Sequence, residues 1–415
     1  MPNAAPRDAW PPADSHATTS STDLATDFVG GRGALLWLAL KTGAFSVLTL
    51  GFYRFWQKTR LRRWYWSSIR VGGLPLEYVG DPVEKLLGFL VAVVILAFYI
   101  GLVNLVLMFA SFSLFQGNGF AYGLSLLGVL PLWFYASYRA RRYLLARTRW
   151  RGLRFGLEPG AWGYAGRALG HWALTILTLG ILWPRMTYHL EKYRTDRTSY
   201  GSARMVQGGR WQMLLPATKP LLAALLCALG VAGVAWGSGN IPLSLGLGLL
   251  AAMVGIYGIV HYRVTTLRLL TQTKTLDGVT LRLSASPFRI LVIHLLGYCL
   301  AILAAALPAL ALGALILMLR TGNMLDDLGL AETLAPLSGL PRGVIFGASA
   351  LLYFSIFLIW SALSHAFVTL PVMRHYSRGL TLHGSDHLAD IQQRDRDEVP
   401  QAEGFAEALD VGSSI

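Results

Sequence analysis

The chain has 415 residues, 54% of them hydrophobic and 14% charged, with a mean hydropathy of +0.48. Values this apolar exclude an ordinary soluble globular protein and point to an integral membrane protein. The 36 Lys and Arg against 22 Asp and Glu leave a formal charge of +14, and the basic residues follow apolar segments throughout, so a positive-inside bias explains them and nucleic-acid binding is not expected.

Residues 1–27 are rich in Pro, Ala, Ser, Thr and Asp and lack an apolar core. They predict a disordered cytoplasmic tail and not an export signal. Ala34–Phe55 follows, apolar but carrying Lys41 near its middle, which would cost about 2.5–3.5 kcal/mol at the bilayer centre. It runs into TLGFYRFWQKTRLRRWYW (Thr49–Trp66), and a relative of that junction, TLGILWPR, returns at Thr178–Arg185. The second apolar segment, Ala168–Trp183, is short, holds His171 and Gly180, and lies between two basic runs. Both segments predict re-entrant or interfacial helices that stay on the cytoplasmic face.

Leu86–Tyr138, Pro220–Val260, Ile290–Met318 and Val344–Leu370 are uncharged, and each holds a run of about 20 residues that suffices to cross the hydrocarbon. The charge-poor connections Ser111–Gly119, Gly237–Asn240 and Arg320–Arg342 predict outside turns. Three helical hairpins with every end inside follow. After each helix exit comes an Arg-, Tyr- or Trp-rich turn and a short alternating stretch: Leu76–Val79, Leu153–Leu157, Val279–Leu283 and Leu380–Leu382 predict short cytoplasmic strands built from internal repeats.

The expected fold is therefore an all-α integral membrane protein. Six spanning helices form three hairpins, joined by two re-entrant or interfacial helices, with eight ordinary spans as the alternative. The membrane domain covers residues 28–386, and 387–415 forms an acidic disordered tail. The localisation expected is the bacterial inner membrane, with both termini cytoplasmic.

Arg54, Trp56, Arg60, Arg62 and Arg63, with Trp183 and Arg185, form a candidate site for anionic lipid or another anionic ligand where the two short segments meet. The competing reading is an aromatic belt beside a positive-inside loop. Lys41, His171 and His294 are the buried polar candidates, with Asn104, His261 and His365 as further polar residues in apolar segments; each alone also fits an interfacial or helix-packing role. His375, His383, Asp386 and His387 read as a polar tail and not a metal site, and Cys227 and Cys299 as small hydrophobes. Nucleotide-loop, nucleophile-elbow and zinc-protease motifs are missing, so neither an enzyme nor a cofactor is expected.

FVGGRG at Phe28–Gly33, the TLGFYRFW junction, R-x-R-R-W-Y at Arg60–Tyr65 and G-x-P-L-E-Y-V-G at Gly73–Gly80 resemble the YjgN-like family of bacterial inner-membrane proteins, a domain of unknown function. Phe55-Trp56 stands where that family shows proline and tryptophan, and the second copy has Trp183-Pro184. The resemblance covers about Phe28 to Asp386 and implies a polytopic inner-membrane protein with a cytoplasmic C-terminus, without a substrate or catalytic residue to transfer. Two functions are expected from the residues: a permease for a small solute or ion, or, as the alternative, a non-transporting protein that binds anionic lipid or a protein partner through its basic, aromatic cytoplasmic face.

Overall fold

Ten strands of three to six residues close into one antiparallel barrel: β1 (Asp23–Phe28), β2 (Ile69–Val71), β3 (Leu74–Tyr78), β4 (Thr148–Trp150), β5 (Leu153–Leu157), β6 (Thr198–Tyr200), β7 (Ala203–Gln207), β8 (Lys274–Leu276), β9 (Val279–Leu283) and β10 (Leu380–His383). The computed structural model describes residues 23–115, 118–238, 240–320 and 341–394. Consecutive strands join through two-residue turns flanked by Val71 and Leu74, Trp150 and Leu153, Tyr200 and Ala203, and Leu276 and Val279. Three of the turns hold both central residues at positive φ, namely Gly72-Gly73, Arg151-Gly152 and Asp277-Gly278, the backbone that matches strand twist. In the fourth, Gly201 carries the positive φ. β1 closes the ring by pairing its first half with β10 and its second half with β2.

At the other end of the barrel the strand pairs Phe28 and Ile69, Tyr78 and Thr148, Leu157 and Thr198, Gln207 and Lys274, and Leu283 and Leu380 stand side by side. Helices leave and return through each of these gaps. They are α1 (Arg32–Leu48) with α2 (Arg54–Ser68), α3 (Pro82–Phe115) with α4 (Asn118–Ala146), α5 (Ala161–Leu177) with α6 (Trp183–Thr195), α7 (Lys219–Ser238) with α8 (Ile241–Gln272), and α9 (Pro287–Arg320) with α10 (Arg342–Leu363), which continues through a π-helical turn (Ser364–Thr369) into α11 (Leu370–Arg378). Among the described residues, these helix pairs therefore project from one end of the barrel and the two-residue strand turns lie at the other.

The barrel is filled, not hollow. Val71, Trp150, Tyr200, Leu276, Val279 and Leu382 meet in its interior with Phe155, Met205 and Leu281 against them. Leu388 and Ile391 join the same cluster from beyond the last strand, where Gln392 N–H donates to Ser202 Oγ, Ser202 N–H donates to Gln392 O, and Arg154 N–H donates to Gln393 Oε1. The C-terminal segment thus seals the turn end.

The all-α class expected from the sequence is overturned by this barrel. Strands of three to six residues are too short to hold alone, but closure gives each of them two neighbours and leaves no open edge. Among the described residues, five helices are long and apolar enough to cross a membrane, over Pro82–Ala110, Trp211–Gly237, Ile241–Gln272, Pro287–Ala314 and Phe346–Arg378; the sequence led to an expectation of six. The side chains of 118–128, the first third of α4, lie outside the described residues, so α4 does not enter that count. The tail boundaries also move, because Asp23–Phe28 is a paired strand and His387–Gln393 packs on the barrel. Residues 1–22 and 395–415 of the expected tails, most of the turn expected at Arg320–Arg342, and parts of those at Ser111–Gly119 and Gly237–Asn240 lie outside the described residues.

Candidate functional site

Thr49 and Thr178 end α1 and α5 in the same way. Thr49 Oγ1 donates to Phe45 O at 2.8 Å and Thr178 Oγ1 to Leu174 O at 2.9 Å. Gly51 N–H then donates to Ser46 O and Gly180 N–H to Thr175 O, so each chain reverses through Leu50-Gly51 or Leu179-Gly180 with all four residues at positive φ, between +50° and +93°. Glycine accepts that backbone freely, whereas a non-glycine residue in it costs about 1–2 kcal/mol. The two strained leucines are also the tips of the hairpins, 85% and 94% exposed. Leu48, Phe52, Leu177 and Ile181 are exposed beside them. This turn is the structural reason that TLG is written twice.

Behind the tips, the arginines and tyrosines that mark the helix exits mostly turn inward. Arg63 donates to Gly80 O, Arg142 Nε to Leu157 O, Lys192 Nζ to Gln207 O and Arg374 to Gly30 O. In each case a returning helix satisfies a carbonyl at the end of an outgoing strand. The rings carry the remaining charge: Arg62, 2% exposed, lies over Tyr78, and Arg167 and Arg197 clasp Tyr193 from 4.7 and 3.7 Å. Such cation–π contacts strengthen as they lose water. Lys85 is 2% exposed and faces Tyr78 and Tyr143.

Glu191 on α6 gathers three cations, Lys274 at 2.7 Å, Arg194 at 2.8 Å and Arg141 at 3.6 Å. Burial pushes its carboxyl up, but Arg141, Lys274 and Arg194 outweigh that and hold it well below the usual carboxylate range. No sequence signal singles Glu191 out, because its partners come from α4, its own helix and β8.

The expected site residues separate in space. Arg54, Trp56, Arg60, Arg62 and Arg63 lie on α2, while Trp183 and Arg185 lie on α6. α2 packs on α1 and α3, α3 on α4, α4 on α5 and α5 on α6, so the α3–α4 pair stands between the two groups and one shared pocket does not form. Arg60 is exposed and lies over the Tyr53 ring, Trp56 stacks on Tyr53, and Trp183 packs on Trp172 and Tyr262.

Lys41 is exposed on α1. His171 stacks on His189 with ring centroids 5.2 Å apart, and both imidazoles are pushed down by burial, His171 further by His189 and Arg185, His189 further by Arg185 and Lys192. His294 Nδ1–H donates to Ile290 O. The tail histidines have separate partners: Ser286 N–H donates to His375 Nε2, His383 pairs with Asp23, and His387 lies against Gly278.

Residues 23–321 match the family described as "Bacterial protein of unknown function (DUF898)". No curated protein and no solved structure matches the chain.

Proposed function

The chain belongs to this bacterial family of unknown function, and from that premise we propose that it is a membrane-anchored protein that binds anionic lipid at the headgroup level of one leaflet and carries no solute across. The carrying observation is the pair Leu50 and Leu179, held at positive φ and almost fully exposed at two matching tips. Strain kept where the fold gains no contact is a reason to look outside the fold for its use. From Leu50, α2 runs back through Arg54, Lys58 and Arg60, about 6, 12 and 15 Å along the helix axis. From Leu179, Arg185 follows at about 9 Å. Leucines in the acyl region with cations this far behind them suit lipid phosphates.

The lengths agree. α3, α8 and α9 extend about 48–51 Å from the barrel, whereas α1, α2, α5 and α6 extend about 20–26 Å. With about 30 Å of the long helices inside hydrocarbon, the short hairpins reach the near leaflet only. Two further observations favour lipid binding over transport. The barrel interior is filled and sealed by Leu388 and Ile391, and at most 22% of any of the five apolar windows is buried, which is sparse packing for a walled pathway. In this reading the membrane is the bacterial inner membrane, with the barrel and both termini in the cytoplasm, because the arginines sit at the barrel ends of the helices. The recurring order of helix pair and strand pair favours an internal fivefold repeat.

The test is native mass spectrometry of the full chain from nanodiscs holding equal phosphatidylglycerol and phosphatidylethanolamine. Selective retention of phosphatidylglycerol, lost in Arg54→Ala/Arg60→Ala/Arg185→Ala, is expected. Equal retention of both lipids, or a variant that retains phosphatidylglycerol as the parent does, sinks the proposal.

A further inference from the structure

α9 packs on α10 and on the π-helical turn that follows it. At Gly297 the approach is close enough that a Cβ would lie 2.6 Å from both Phe367 O and Val368 Cγ2. A side chain there would push the two elements apart. The π turn widens the helix so that Leu370 N–H reaches back to His365 O, and single π turns recur at functional sites. Between the two elements lies a cavity of about 920 Å³, open on one side, lined by His294, Tyr298, Trp360, Ser364, His365 and Thr369 among others. Its lining residues all belong to the apolar stretches Pro287–Ala314 and Phe346–Arg378.

The lining is polar but not ionic: among the described residues that line it, none is Lys, Arg, Asp or Glu. Tyr298 and Trp360 stack with ring centroids 5.7 Å apart and planes 12° from parallel, an apolar wall. His294 spends its Nδ1–H on Ile290 O at 2.8 Å. Its Nε2 is then an acceptor. Ser364 Oγ is buried and has no hydrogen-bond partner among the described residues. His365 O already takes the Tyr65 hydroxyl at 3.2 Å, which fixes the turn from the α2 side.

We infer that this cavity binds an uncharged, hydroxyl-bearing lipid, an acylglycerol or a long-chain alcohol. A hydroxyl both donates and accepts, so it meets the acceptor on His294 and, once a χ1 rotation turns the buried Ser364 Oγ into the cavity, that hydroxyl as well. A ligand carrying only carbonyls leaves the His294 acceptor unmet. A carboxylate or phosphate enters an apolar region with no cation in the lining, where desolvation opposes it. The chain would then distinguish two lipid classes at two places, charged headgroups at the tips and an uncharged one here.

The test uses the full chain in nanodiscs with three photoactivatable probes of equal acyl length, a monoacylglycerol, a primary alcohol and the corresponding fatty acid at pH 8. The two uncharged probes are expected to label peptides spanning 294–302 and 360–373, and excess unlabelled lipid of the same kind to remove that labelling. Preference between them tells glyceride from alcohol. Ser364→Ala and His294→Phe are each expected to lower it by about fivefold to tenfold, the loss of one hydrogen bond. Leu303→Ala, at a 68% exposed position of α9, leaves it unchanged. Labelling that is not competed in the parent, that is equal with the fatty acid, or that Ser364→Ala leaves intact overturns the inference. None of these outcomes depends on phosphatidylglycerol retention, so failure here is separable from failure of the tip site.

Discussion

Lys274 Nζ lies 2.7 Å from Glu191 Oε1 and ties β8 to α6 across 83 positions of sequence. Both side chains are mostly shielded, 11% and 13% exposed. Glu191→Gln leaves Arg194 and Lys274 without their counter-charge, and breaking a buried pair this way costs about 3–5 kcal/mol. The melting temperature in detergent is expected to fall sharply in Glu191→Gln and to recover in part in Glu191→Gln/Lys274→Met. The sign of the pH dependence follows from the depressed carboxyl. Its stabilisation is present in full above the ordinary glutamate value of 4.5, and it is lost as pH falls below that toward the folded value. Parent stability should therefore drop between pH 5 and pH 3 by more than that of the double variant; parallel curves would show that Glu191 is not held ionised.

His171 and His189 stack across α5 and α6 with both imidazoles depressed below the ordinary value of 6.5. A depressed pKa means that the unfolded chain binds more protons, so the stabilisation is present above pH 6.5 and lost on acidification. Arg185 and Lys192 add to the repulsion once the pair charges. After correction for intrinsic rates, amide exchange in α5 is expected to be faster at pH 5.5 than at pH 7.5, and the difference should vanish in His171→Phe/His189→Phe. An equal difference in that variant would place the pH effect elsewhere.

The long apolar helices and the turn at Asp277-Gly278 are legible because their signals are local. So are β3, β5, β9 and β10, where alternation over four or five residues shows through. Their partners IRV, TRW, TSY and KTL are three residues long and follow helices directly, so nothing local separates them from a helix end. Closure is less visible still, since it depends on β1 meeting β10 from the far end of the chain. The exit arginines are legible as a pattern but not as contacts. Arg63 and Arg142 look like headgroup residues, yet they donate to Gly80 O and Leu157 O, acceptors that exist only once the strands are placed. His294 stands out in the sequence as a lone polar residue, whereas Ser364 does not, because its lack of a partner depends on the fold.

Leu388 and Ile391 close the barrel interior, at 5% and 6% exposure. Large-to-Ala changes in such cores cost about 2–5 kcal/mol each. Leu388→Ala/Ile391→Ala should therefore lower the melting temperature in detergent and make the segment after Gly384 the first site cut in limited proteolysis, before any cleavage among the helices. Unchanged melting and proteolysis would mean that the segment rests on the barrel without sealing it.

Leu50 and Leu179 give the sharpest separation of folding from function. Glycine at either position relieves about 1–2 kcal/mol of left-handed backbone strain and gives back about 0.5–1 kcal/mol in unfolded-state freedom. Leu50→Gly/Leu179→Gly is thus expected to melt in detergent at or above the parent temperature, whereas Leu50→Ala/Leu179→Ala keeps the strain and melts no higher than the parent. If the tips sit in acyl chains, the glycine pair should lose membrane contact while gaining stability. The readout is maleimide labelling of Phe52→Cys in proteoliposomes, in a chain with Cys227 and Cys299 replaced by Ala. Removing two exposed leucine side chains forfeits about 1.5–3 kcal/mol of transfer free energy each, so labelling should be at least about tenfold faster in the glycine variant. Equal labelling rates with an unshifted melting temperature would make Leu50 and Leu179 indifferent to both membrane and fold.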